Sequence, residues 1–193
     1  MNINKYTIKA QEAVQEAVKR AERQGQQAIE PEHLLSGILQ AAEEVTRFIF
    51  QKLGLNPTTV QQAVDAQIGS LPKVQGGQPY LSQQSSQVLQ KAEDLAQQGG
   101  DEYVSVEHLL MAIADVQCTA GKMLKDMGLT QEELKKAIHE LRGGQKVTSQ
   151  SSEDTYQSLN KYARNLVDEA RAGKLDPVIG RDNESRNIIR ILC

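Results

Sequence analysis

Apolar side chains recur every three or four residues along most of this chain, the spacing of one face of an α-helix. Ala10, Val14, Ala17 and Ala21 trace the first stripe, and Gly25 stands where such a helix would stop. Pro31 opens a second, at a helix position where a missing N–H costs nothing, with Leu34, Leu35 and Ile38 facing inward. Val45, Phe48, Ile49 and Leu53 mark a third, closed by Gly54. Asn56-Pro57 starts a fourth, which buries Val60, Ala63, Val64 and Ile68. No segment alternates with period two over strand length, so the pattern predicts an all-α fold.

The same four-helix plan occurs twice. Pro31-Glu32-His33-Leu34-Leu35-Ser36-Gly37-Ile38 returns as Val106-Glu107-His108-Leu109-Leu110-Met111-Ala112-Ile113, an offset of 75. That offset also pairs Ala17 with Ala92, Ala21 with Ala96 and Gly25 with Gly100. After a one-residue gap the offset is 74, matching Leu53-Gly54-Leu55 with Met127-Gly128-Leu129 and Ala63-Val64 with Ala137-Ile138. In the second copy Ser82 and Ser105 are placed to cap helices, and Thr130-Gln131-Glu132-Glu133 has the form of a capping box. A duplicated unit of this kind predicts two packed bundles related by an approximate two-fold axis. Repeat 1 spans 6–69 and repeat 2 spans 81–143, joined by the Pro/Gly-bearing connector 70–79.

Beyond Arg142 the pattern changes. Gly143 to Asp154 is small and polar, which predicts a flexible linker over 146–156 after a domain of 1–145. Leu159, Tyr162, Ala163, Leu166, Val167 and Ala170 then resume helical spacing up to Gly173. A further helix is expected from Asp182 to Cys193, ending in the apolar run Ile188-Ile189-Arg190-Ile191-Leu192-Cys193.

Composition narrows the partners. Hydrophobic residues make up 39% and charged residues 24%, with aromatics at only 4%, so Ala, Leu, Ile and Val must build the core. A net charge of −3 gives no electrostatic case for nucleic acid. No stretch approaches the roughly 20 apolar residues of a membrane span, and no signal peptide is visible, so a cytoplasmic protein is expected. Two cysteines, Cys118 and Cys193, are too few for a disulfide framework.

Catalytic constellations are missing. The chain contains no G-x-x-x-x-G-K-[ST] loop to cradle phosphates, no G-x-S-x-G and no H-E-x-x-H. His33 and His108 read as helix-start packing residues, His139 as an exposed helix residue and Cys118 as inert, so neither a metal nor a catalytic residue is expected. Glu32 and Glu107 each sit one residue inside a helix start, where the dipole stabilises a carboxylate by roughly 0.3–1 kcal/mol. Thr7 stands where a helix N-cap belongs, and Asp101 shapes the loop after Gly100.

The doubled repeat with its Glu-His-Leu-Leu cores resembles the N-terminal domain of the Hsp100 unfoldases. Gly173-Lys174-Leu175-Asp176-Pro177-Val178-Ile179-Gly180-Arg181 resembles the start of their first AAA+ module, and Lys161-Tyr162-Ala163-Arg164-Asn165-Leu166 is similar to the ClpB type in particular. The resemblance implies that 157–193 begins an AAA+ module cut before its phosphate loop. It also implies a parent that binds ATP and Mg, forms a homohexamer with a coiled-coil middle domain and two ATPase modules, and works with the DnaK system. In such a parent this domain captures unfolded or aggregated polypeptides for threading, although the piece alone is expected to be a monomer and no enzyme. The resemblance ties Thr7, Asp101 and Glu107 to substrate handling and assigns Val178 and Ile179 to adenine contact. In the related ClpC unfoldase the glutamates matching Glu32 and Glu107 bind phosphoarginine, though Pro31 and Val106 stand here where that branch has Thr. Relatives present an apolar face near the position of Leu95, on the helix leading to Gly99-Gly100-Asp101; Leu95 is therefore a candidate contact, while Lys91 and His108 replace apolar family positions. The rival reading is an adaptor-docking domain of a ClpA or ClpC unfoldase that feeds a protease.

Overall fold

The computed structural model describes residues 2–156. The readings that fall on 157–193, including the two helices there and Val178 and Ile179, lie outside the described residues.

After a 3-10 turn at Ile3–Lys5 come α1 (Ile8–Arg23), β1 (Ala28–Ile29), α2 (Pro31–Ala41), α3 (Glu43–Lys52) and α4 (Pro57–Gly69). The second copy follows as β2 (Tyr80–Leu81), α5 (Gln83–Gln98), α6 (Val106–Asp115), α7 (Thr119–Asp126) and α8 (Gln131–Arg142). Side chains start these helices by accepting backbone N–H groups that the first turn leaves free. Thr7 takes Ala10 N–H at 3.1 Å, Asn56 takes Thr58 N–H at 2.8 Å, and Ser82 takes Ser85 N–H at 3.1 Å. The Thr130 hydroxyl accepts Glu133 N–H at 3.3 Å, as its sequence suggests.

His33 and His108 do more than pack. Each sits at the third position of its helix and turns Nδ1 back to accept the N-cap backbone N–H, from Glu30 and from Ser105, both at 2.9 Å. The imidazole thus takes the place that Glu or Gln holds in the common capping box. It leaves Nε2–H to donate inward, to Gln26 Oε1 at 2.7 Å in repeat 1 and to Asp101 Oδ2 at 2.8 Å in repeat 2.

α2 and α6 are buried on almost every side, which is why their sequences are apolar all round rather than along one stripe. α1 lies so close to α2 that a Cβ at Gly37 would meet the Ala13 carbonyl oxygen at 2.0 Å. The rest of the core is aliphatic, as the scarcity of aromatics requires, with Tyr6, Phe50 and Tyr156 as its large rings.

The repeats are tied by reciprocal parallel pairings. Ile29 of repeat 1 pairs with Leu81, and Tyr6 pairs with Val104 of repeat 2. Moving 29 by 75 gives 104, and moving 81 back by 75 gives 6, so each copy makes to the other the contact it receives. Two residues per pairing are too short to show as alternation.

The segment after α8 differs from the flexible linker its composition suggests. Gly143, at φ 60°, ends α8, and the chain turns back across the second repeat. Val147, Ser152, Glu153 and Tyr156 are buried there, with a helical turn over 152–156. A few well-spaced anchors hold a stretch whose average composition is that of a linker.

Candidate functional site: a buried ionic seat beside a groove

Three of the residues expected in substrate handling come together, but inside the protein. Thr7 and Glu107 are buried, and the side chain of Asp101 is only 2% exposed. Arg142, from the last turn of α8, reaches between the two acids, donating from Nε to Glu107 Oε2 at 2.8 Å and from Nη1 to Asp101 Oδ2 at 3.2 Å. Tyr156 O–H donates to the same Glu107 oxygen. Glu153 Oε2 accepts from the Thr7 hydroxyl at 2.6 Å and from Val106 N–H at 3.1 Å, and so joins the starts of α1 and α6.

The electrostatics follow from this packing. Burial works against Asp101, but the His108 hydrogen bond, the Val147 N–H and the Arg142 charge hold its carboxyl down at about 2. Burial likewise opposes ionisation of Glu107, and Arg142 and His108 outweigh it, leaving the carboxyl below its usual range. Among the described residues Glu153 has no cation of its own. Burial first and Glu107 second push its carboxyl up to about 7. One oxygen of each, Glu107 Oε1 and Glu153 Oε1, has no hydrogen-bond partner among the described residues.

Repeat 1 lacks this chemistry at matching positions. Gln26 stands for Asp101, Ile68 for Arg142, and Pro31, with no N–H, for Val106. Glu32 is buried apart from the seat, and burial, then Glu30, raises its carboxyl. Cys118 caps α7 through Sγ, accepting Gly121 N–H at 3.4 Å, and burial pushes its thiol up.

Leu95, Met111 and Ile138 supply the apolar lining of a groove of about 410 Å³. Lys135, His139 and Arg142 line it as well, together with Gly144, Gln145 and Lys146 from the segment after α8. Neither Lys91 nor His108 takes part. Lys91 pairs with Asp115 at 3.2 Å, and His108 faces the seat. The first repeat has the matching groove, about 770 Å³, but with Arg20 for Leu95, Ser36 for Met111, Gln61 for Lys135 and Asp65 for His139. There Arg20 donates to Ser36 at 3.0 Å and to Asp65 at 3.1 Å, giving a polar floor.

The profile of the Clp repeat (R) N-terminal domain matches residues 5–127 of the chain. The chain belongs to this family. Over its whole length the domain is also 60% identical to "Chaperone protein ClpB" of Bacteroides thetaiotaomicron and 55% identical to that of Porphyromonas gingivalis. It spans 22% of the length of each of these relatives. Among solved structures it shares its fold with the Hsp104 N-terminal domain from Candida albicans, with a TM-score of 0.66 at 24% identity, covering 77% of this chain and 98% of that one. A ClpV N-domain solved in complex with a VipB peptide matches with a TM-score of 0.60 at 20% identity, covering 71% of this chain and 86% of that one.

Sequence reasoning missed Arg142, Val147, Glu153 and Tyr156. A signal existed for Arg142, since the offset of 74 sets a cation against the apolar Ile68. No helix of the described residues is long and apolar enough to cross a membrane.

Proposed function

We propose that this Clp repeat domain loosely captures unfolded polypeptide segments in the second-repeat groove, as the client-facing part of a ClpB-type disaggregase. The observation that carries the reading is the contrast between matched positions of the two grooves, Leu95 and Met111 in one against Arg20 and Ser36 in the other. Each apolar side chain fully buried on such a floor gains about 1.5–3 kcal/mol, so one or two give weak and sequence-tolerant binding. Weak capture suits a client that must be passed on.

Similarity to ClpB chaperones along the whole of this chain favours this over adaptor docking for a protease. In the parent, a homohexamer driven by ATP and Mg would thread the client in the cytoplasm, with DnaK acting alongside; the domain supplies capture and no catalysis. Leu95→Asp tests the site. Titrating the variant with fluorescein-labelled, reduced and carboxymethylated α-lactalbumin should show binding lost while the helical circular dichroism is kept. Unchanged binding would remove the groove from the proposal.

A further inference from the structure

The strap of residues 144–156 leaves α8, walls the groove with Gly144, Gln145 and Lys146, and then runs into the ionic seat. Its attachment joins the buried side chains of Val147 and Tyr156 to a series of polar contacts. Lys146 Nζ donates to the Gly99 carbonyl at 2.7 Å, Val147 N–H to Asp101 Oδ1 at 2.9 Å, and Glu102 N–H returns a bond to the Val147 carbonyl at 2.8 Å. Ile8 N–H donates to the Gln150 carbonyl at 2.9 Å. Glu153 and Tyr156 then close on Thr7, Val106 and Glu107 as described above.

Two features mark this as a device rather than a repeat's ordinary packing. Repeat 1 folds with Gln26, Ile68 and Pro31 at the matching positions, so the fold itself does not require an ionic seat. Docking also leaves Glu107 Oε1 and Glu153 Oε1 buried without partners among the described residues, a cost that release of the strap would relieve. Arg142 joins the two sites, since it holds Asp101 and Glu107 on one side and lines the groove on the other.

We propose that Thr7, Asp101, Glu107 and Arg142 are positioning residues: they seat the 144–156 strap, and the seated strap sets the shape of the groove, so that strap release and client affinity are coupled. On this view Thr7, Asp101 and Glu107 influence clients without touching them. The inference rests on the groove being the client site. The coupling is reciprocal, so a client that fits the groove better with the strap seated must also hold the strap down.

The test uses the 193-residue chain with two measurements on each variant: amide hydrogen exchange, and affinity for the labelled α-lactalbumin. Val147→Asp puts a carboxylate at a fully buried position of the strap, on the residue whose N–H binds Asp101. It should speed exchange at Ile8, Glu102 and Val147 by about tenfold or more while α2 stays protected. Client affinity should shift by about threefold or more in the same variant. Thr7→Ala should loosen the strap, and Thr7→Ser, which keeps the hydroxyl, should restore it. If Val147→Asp also strips α2 of protection, Tyr156→Phe, which removes only the hydroxyl to Glu107, takes its place with the same expectations. Strap amides that open while affinity stays at the wild-type value would overturn the coupling. Strap amides unprotected in the wild type would overturn the seat itself. A wild-type chain that fails to bind the probe would sink the groove reading and the coupling with it, whereas the exchange data would still show whether the strap is seated.

Discussion

Glu153 is buried near Glu107 with no cation of its own among the described residues, and burial and that neighbour push its carboxyl from 4.5 up to about 7. Between those values the folded protein keeps a proton that the unfolded chain has released. Stability from this group is therefore full below about pH 4.5 and falls as pH rises through about 7. Glu153→Gln removes the charge and nearly keeps the shape, so its urea midpoint should fall less than the wild type's between about pH 5 and about pH 8. An identical pH dependence in the two proteins would contradict this placement of Glu153. His33 works in the opposite sense: burial, then Arg20, lowers its imidazole to about 4 from 6.5, so its contribution is lost as pH falls through that window. Arg142→Ala would leave Glu107 and Asp101 buried without their cation and should cost about 3–5 kcal/mol by denaturant titration. At this scale the sequence showed Thr7 as a cap and Glu107 at a helix start. It could not show that both face Glu153, because that contact joins residues 146 positions apart.

The helices were legible from spacing alone, because each must bury one face, and caps such as Thr7, Asn56 and Ser82 stand where the stripes begin. Gly37 was readable as part of a repeated motif but not as a point of contact. Its replacement by Ala would drive a methyl into the Ala13 carbonyl and should destabilise by about 1–3 kcal/mol or more, measured as a lowered thermal midpoint. The strap was the least legible element. Its average composition is that of a linker, and its anchors, Val147, Glu153 and Tyr156, follow no period that a helix or strand would impose. What holds it is the ionic seat, and that seat exists only once α1, α6 and α8 have come together.

Duplication explains the molecule as a whole. One four-helix unit, doubled and tied through the reciprocal Ile29–Leu81 and Tyr6–Val104 pairings, gives two matching grooves. In the first, Arg20 binds Ser36 and Asp65; in the second, the positions of Arg20 and Ser36 are taken by Leu95 and Met111, which with Ile138 give an apolar lining. Client capture should therefore belong to one repeat alone. Methyl chemical-shift mapping with the labelled α-lactalbumin tests this most directly. The expected result is perturbation at Leu95, Met111 and Ile138 while Leu39, beside the polar groove, stays in place. Perturbation centred on Leu39, with Leu95 unmoved, would contradict it.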